Sequence, residues 1–220
     1  MSDRETENLI DLYVKEKREL LKNFPTKDIA EIAEVVWTAY QAGGTIYACG
    51  NGGNAAYVAN MLTDFSMHPF VSDDKSSPLP DDIPRLKVYN MTSEGTTLTA
   101  LLNDIGPHAI FSQQLINNGA GPNDVLFGFS GSGNSENILE AFSVAKKYNT
   151  KTIAITRGDG GKSKDAADYC VVIPGTSTFH GQVGGNDNNF HFEDALSSIP
   201  HIITGILRKK VTEKYLGPQR

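Results

Sequence analysis

Two short stretches of this chain place glycine, serine and asparagine where an apolar run gives way to a helical one. The first is Cys49-Gly50-Asn51-Gly52-Gly53-Asn54, between Thr45-Ile46-Tyr47-Ala48 and Ala55-Ala56-Tyr57-Val58. The second is Ser130-Gly131-Ser132-Gly133-Asn134-Ser135, between Val125-Leu126-Phe127-Gly128-Phe129 and Glu136. Glycine lets a ligand approach backbone N–H groups with no Cβ in the way. A helix N-terminus adds unpaired donors and a partial positive charge. The hydroxyls of Ser130, Ser132 and Ser135 add further donors. Together the two turns suit a small phosphorylated, polyhydroxylated ligand. Either turn alone is a weak signal, and the serine turn alone reads equally well as a strand-to-helix connection capped by Asn134 or Ser135.

Two helical faces carry groups that could move protons. Asn60, Asp64 and His68 are spaced i, i+4, i+8, as are Glu193, Ser197 and His201. For the first trio the plain alternative is a solvent-facing stripe. For His201, inside Ser198-Ile199-Pro200-His201-Ile202-Ile203, it is a hydrogen-bonded core histidine. Pro200 removes a backbone donor there and should bend the helix. His180 and His191 read as loop or surface residues.

Other chemistries are disfavoured by spacing. Ser130 and Ser132 lack a G-x-S-x-G elbow. No G-x-x-x-x-G-K-[ST] is present, and Gly50, Gly52 and Gly53 miss G-x-G-x-x-G, which argues against a nucleotide or dinucleotide fold.

The elements needed to hold these groups follow from periodicity. Helices are predicted at about 4–22 and 28–41, the latter with Thr26 as N-cap. Strands are predicted at 45–49, 86–91, 125–129, 151–156 and 169–173. Helices fall between them at about 55–66, 97–102, 107–117 and 135–147, and a long one closes the chain at 191–214. Residues 69–84 and 175–189 read as loops. Strands alternating with helices argue for a parallel, doubly wound sheet, with ligands beyond the strands' carboxyl ends.

The chain has 220 residues and a net charge of −6, with no basic run, so nucleic acid is not an expected partner. No run of about 18 apolar residues exists, so no membrane span is expected. The polar start, Met1-Ser2-Asp3-Arg4-Glu5, does not read as a signal peptide, and a cytoplasmic location is expected. Cys49 and Cys170 fall in predicted buried strands and are expected as free thiols.

Several segments bear a resemblance to one family. Gly50-Asn51-Gly52-Gly53-Asn54-Ala55 resembles the G-N-G-G-S-A loop of the sugar isomerase (SIS) domain. Leu98-Thr99-Ala100-Leu101-Leu102-Asn103-Asp104 resembles L-T-A-x-x-N-D of the phosphoheptose isomerase branch, and Phe111-Ser112-Gln113-Gln114 its F-S-R-Q. Phe129-Ser130-Gly131-Ser132-Gly133-Asn134-Ser135 resembles I-S-T-S-G-N-S. Ile155-Thr156, with Gly158-Asp159-Gly160-Gly161-Lys162, looks like L-T-G-x-x-G-G-K.

The resemblance implies a flavodoxin-like three-layer α/β/α sandwich with a central parallel sheet. It would form a single domain over 1–220, with a helical arm at 1–43 and a core at 44–215. It implies aldose–ketose isomerisation of a sugar phosphate, such as sedoheptulose 7-phosphate, through an enediol(ate). Substrate would be held by Asn51, Gly52, Gly53, Asn54, Asp104, Ser130, Gly131, Ser132, Ser135 and Glu193. Asp64 and His201 would be catalytic. A divalent metal, usually zinc, would be held at Asn60, Asp64, Glu193 and His201. The family builds tetramers with sites at subunit interfaces, so a homo-oligomer is implied. Here Asn60 stands for a histidine, Glu193 for a glutamine, Asp64 for a glutamate and His68 for an arginine, a more oxygen-rich donor set. A non-catalytic phosphosugar-binding or regulatory SIS protein is the alternative.

Overall fold

A computed structural model describes residues 2–217; residues 1 and 218–220 of the expected domain lie outside them. Five strands form one parallel sheet: β1 (Thr45–Gly50), β2 (Lys87–Asn90), β3 (Val125–Phe129), β4 (Lys151–Arg157) and β5 (Tyr169–Ile173). Their spatial order is β2-β1-β3-β4-β5. Chain order therefore reverses between β1 and β3, the switch point where open α/β sheets bind ligands. Gly50 of β1 pairs with Phe129 of β3, so the two glycine-containing turns leave the sheet side by side.

Alternation along each strand builds both faces. Ile46, Ala48, Val125, Phe127, Phe129, Ile153, Ile155, Val171 and Ile173 point to one core. Tyr47, Cys49, Leu126 and Ala154 point to the other. The first core is covered by α2 (Thr26–Gln41), α3 (Gly53–Met67) and α8 (Asn189–Tyr215). The second lies under α5 (Ser112–Asn117) and α6 (Glu136–Lys147), with α7 (Ser163–Ala166) at its rim. This is the three-layer α/β/α arrangement expected. Gly128 marks the closest approach of α6, since a Cβ there would lie 2.5 Å from Phe142 Cζ.

Several local expectations are corrected. Helix α2 begins at Thr26, with Pro25 rather than Thr26 at the cap; proline's fixed φ and missing N–H suit a helix start. Helix α2 also belongs to the core, through Ile29, Ile32, Ala33 and Val36. Of the N-terminal helices only α1 (Asp3–Lys22) stands off the sheet; it packs on α8. The 107–117 helix is two pieces, a 3-10 turn at Pro107–Ala109 and α5. Helix α4 (Gly95–Asp104) is longer than expected and buries none of its residues. Cys49 is buried but Cys170 only half-buried, and both are free. No helix is long and apolar enough to cross a membrane among the described residues.

Candidate active site

The glycine turn opens α3 with Gly52 at φ +56, a conformation that favours glycine, and no side chain caps the helix. Its first N–H groups face the carboxyl edge of the sheet. Asn51 exchanges two hydrogen bonds with Asn137 of α6, at 3.0 and 2.9 Å, tying the two turns together. Asn54 Oδ1 is buried with no partner. A buried acceptor left unpaired is costly, and a sugar hydroxyl is the kind of donor that would satisfy it.

In the serine turn, Ser135 takes the N-cap position of α6 but makes no capping bond. Its hydroxyl meets that of Ser130 at 2.9 Å instead. Ordinary capping therefore does not explain these serines. Ser132 Oγ accepts from Asn134 N–H (3.2 Å), and the Asn134 side chain donates to Ser132 O (2.8 Å) and accepts from Lys162 N–H (3.1 Å). The turn rests on Gly158–Gly161: a Cβ on Gly133 would lie 2.0 Å from Gly160 O.

Asp64 is buried on α3, and its carboxylate lies between two imidazoles. Oδ2 is 3.3 Å from His201 Nε2, and Oδ1 is 3.4 Å from His68 Nε2. Asn60 donates to Oδ2 at 3.2 Å. His201 is largely exposed, so the core-histidine reading does not hold. His68 is drawn in by its i+4 spacing from Asp64, and its carbonyl accepts from Arg208 (2.9 Å).

Not every implied residue joins these groups. Asp104 is exposed at the end of α4, its carboxylate accepting from Asn103 at 2.7 Å. Glu193 accepts from Asn189 at 3.0 Å and faces Gly53, where a Cβ would be 3.1 Å from its Oε1. It lies eight residues before His201 on α8, on the order of 12 Å along the axis. Asn60, Asp64 and His201 therefore meet, while Glu193 sits with the glycine turn, and within one chain the implied metal set does not come together. Among the described residues no group of three or more His, Cys, Asp or Glu is placed to hold a metal ion; the Asp64 carboxylate itself fills the space both imidazoles face.

The cradle and the Asp64 pair are also apart. Gly53 and Asp64 are eleven residues apart on one helix, on the order of 16 Å between their Cα atoms.

Two residues lay outside the sequence reading of the site. Arg157, at the end of β4, donates to Asp187 O (2.5 Å) and Gly185 O (2.6 Å). Burial lowers its pKa, while Asp187 and Glu193 oppose the shift. His191, read as a loop or surface residue, is buried in α8 with Nε2 3.0 Å from Glu16 Oε2, and Nδ1 is buried without a partner. A groove of about 350 Å³ beside Val35, Thr38 and Asp124 lies at the amino ends of β3 and β4. It is at the wrong end of the sheet for the cradle and holds no converging acid–base pair.

A parallel sheet in this order, with two ligand-ready turns at its switch point, defines a flavodoxin-like α/β sandwich with a ligand site beyond the strands' carboxyl ends. The SIS domain family matches residues 82–157. A phosphoheptose isomerase of Rhodospirillum rubrum is 37% identical over 150 residues, covering 68% of this chain and 74% of that protein. One from Chlorobium phaeobacteroides is 31% identical over 163 residues, 74% of this chain and 68% of the relative. The chain belongs to the phosphoheptose isomerase family. In fold it is similar to the phosphoheptose isomerase of Neisseria gonorrhoeae, with a TM-score of 0.74 at 24% identity over 92% of this chain and 99% of that one. It is similarly close to that of Francisella tularensis, with a TM-score of 0.75 at 23% identity over 94% of this chain and 99% of that one.

Proposed function

We propose that this protein interconverts an aldose phosphate and a ketose phosphate, of the heptose phosphate class or a close relative, by proton transfer between C1 and C2. The observation that carries the reading is the buried Asp64 carboxylate 3.3 Å from His201 Nε2, in a member of this family. Such a pair has the two parts the reaction needs, a base for the carbon and an acid/base for the oxygens. Asp64 removes the proton from carbon, and His201 moves protons at O1 and O2. The serine turn holds the phosphate, and Asn51 and Asn54 take sugar hydroxyls. This accounts for the uncapped helix start and the orphaned Asn54 acceptor.

The family resemblance supports a homo-oligomer whose sites form between copies, the cradle of one chain facing Asp64 and His201 of another. A tetramer is the assembly the resemblance implies. Divalent metal, zinc in the resembled pattern, enters this reading only across copies, where Glu193 of one chain would face Asp64 and His201 of another.

The test mixes two inactive variants, Asp64→Asn and the double variant Ser130→Ala/Ser135→Ala, in one oligomer. Sites between copies regain activity in the mixture; a mixed oligomer without activity overturns that arrangement. In wild type, turnover in D2O should place deuterium at C2. If no sugar phosphate is converted or stabilises the fold, the protein is a non-catalytic member and the isomerase reading falls.

A further inference from the structure

Arg157 and Glu193 stand at opposite turns of the cradle, Arg157 at the serine turn and Glu193 at the glycine turn. Asn189 and Glu193 are four residues apart in the first turns of α8, so they share a face. Asn189 Nδ2 donates to Glu193 Oε1 at 3.0 Å. The carbonyl oxygen of the same amide lies 3.3 Å from the point where a Cβ of Gly131 would stand, and Arg157 Nε lies 3.2 Å from that point. Glu193 Oε1 lies 3.1 Å from the Cβ position of Gly53. A cation thus lies at the serine turn and a carboxylate, held by Asn189, at the glycine turn.

The charges are placed unequally. Arg157 Nε is buried against the serine turn and has no hydrogen-bond partner. The Arg157 backbone N–H also donates to Gly131 O at 3.2 Å. At the other end the Glu193 carboxylate stands at the start of α3, where the helix N-terminus would otherwise attract an anion. In the patterns quoted above, position 157 is glycine and position 193 glutamine. This chain has added one positive and one negative charge, and the two are complementary.

We propose that Arg157 and Glu193, placed at the two turns, give the cradle a direction: positive beneath the serine turn and negative at the glycine turn, so that a sugar phosphate enters with its phosphate on Ser130–Ser135 and its hydroxyls on Glu193 and Asn54. Arg157 acts through the serine turn and is a positioning residue. Its two terminal N–H groups hold Gly185 and Asp187, and its charge raises the turn's affinity for phosphate. Glu193 repels phosphate from the glycine turn and accepts hydroxyl donors, which fixes specificity for a polyhydroxylated chain. The inference rests on the sugar-phosphate reading and adds the basis of its selectivity.

Titration calorimetry with inorganic phosphate and with sedoheptulose 7-phosphate, on the full chain, tests it. Arg157→Gln should weaken both ligands about tenfold or more, the scale of a lost interaction with a charged group, and Arg157→Lys should restore most of the loss. A purely structural clamp on the 175–189 loop would not be rescued by lysine, which cannot reproduce the fork. Glu193→Gln should leave inorganic phosphate as tight or tighter while weakening the sugar phosphate, raising KM more than it lowers kcat. If Arg157→Gln binds both ligands like wild type, or if Glu193→Gln weakens both equally, the two charges do not set direction. Thermal melting without ligand identifies a variant that has failed to fold, and Asn189→Ala then serves as the second probe, with the sugar phosphate expected to lose more than inorganic phosphate. Wild type that binds neither ligand refutes the sugar-phosphate reading itself, whereas wild type that binds with unaffected variants refutes only the direction set by the two charges.

Discussion

Asp64 Oδ2 lies 3.3 Å from His201 Nε2, across the seam where α3 packs on α8. The two residues are far apart in sequence, yet the helices advance together: Gly53 faces Glu193, Asp64 meets His201, and the His68 carbonyl accepts from Arg208. One helix pair thus carries a binding end and a proton-transfer end.

Asp64→Asn should therefore remove turnover while leaving sugar phosphate bound. A positioned general base contributes roughly 10²–10⁴-fold, so kcat should fall by that order with calorimetric affinity almost unchanged. Asp64→Glu, one methylene longer, should retain more activity than the asparagine variant. An asparagine variant with wild-type kcat would remove Asp64 from the chemistry.

Gly133→Ala should damage the phosphate cradle more than the fold. The residue has φ +66, and an added Cβ would lie 2.0 Å from the backbone oxygen of Gly160. Neither backbone can yield without moving the serine turn, because Gly133 O also accepts from Ser163 N–H and Oγ, each at 2.9 Å. The expected outcome is a loss of about 1–3 kcal/mol in stability, as for other overpacked sites, together with loss of phosphate binding by calorimetry. Gly52→Ala is the comparison: it has space for a Cβ but an unfavourable φ of +56, so it should cost less.

What could be read from sequence follows a physical division. The apolar strand runs and the two turns were legible because each depends on neighbours within a few residues, and β1 and β3 appear where Thr45–Cys49 and Val125–Phe129 predicted them. The i, i+4, i+8 spacing of Asn60, Asp64 and His68 correctly placed them on one face. Long-range pairing was not legible. Arg157 sits in a stretch read for its glycines, and its partners at 185 and 187 lie on another loop. His191 follows a polar, glycine-rich segment, so it read as loop, whereas α8 starts at Asn189 after Asn188 at φ +59. Helix α7 was missed because four residues hold no periodicity.

Lys17 and Tyr13 both donate to Asp194 Oδ2 at 2.7 Å, joining α1 to α8. Burial acts to raise the Asp194 carboxyl, but the bonds from Lys17 and Tyr13 outweigh it and hold its pKa below the ordinary value. Tyr13→Phe keeps the ring contact with His191, at a centroid distance of 4.3 Å, and removes one bond. It should lower the melting temperature by a few degrees at most, given about 1 kcal/mol for such a bond. A much larger fall would mean that the hydroxyl serves more than Asp194.

The last prediction concerns Glu16, which fastens α1 to the 175–189 loop. Burial opposes its charge. Hydrogen bonds from Ser177 Oγ (2.6 Å), from Thr178 N–H (2.8 Å) and Oγ1 (2.9 Å), and the contact with His191 outweigh burial and hold the carboxyl at about 2, below its ordinary 4.5. Because the folded-state value is the lower one, the stabilisation is fully present above about pH 4.5 and is lost as pH falls toward 2. Hydrogen exchange followed through that window should show residues 3–22 and 175–189 losing protection before the sheet does. Glu16→Gln keeps the shape but not the charge, so these segments should already be less protected at pH 7 and should show no further step between pH 4.5 and 2. The same acid step in the glutamine variant would place its origin in another carboxylate and leave Glu16 as a neutral spacer between α1 and the loop.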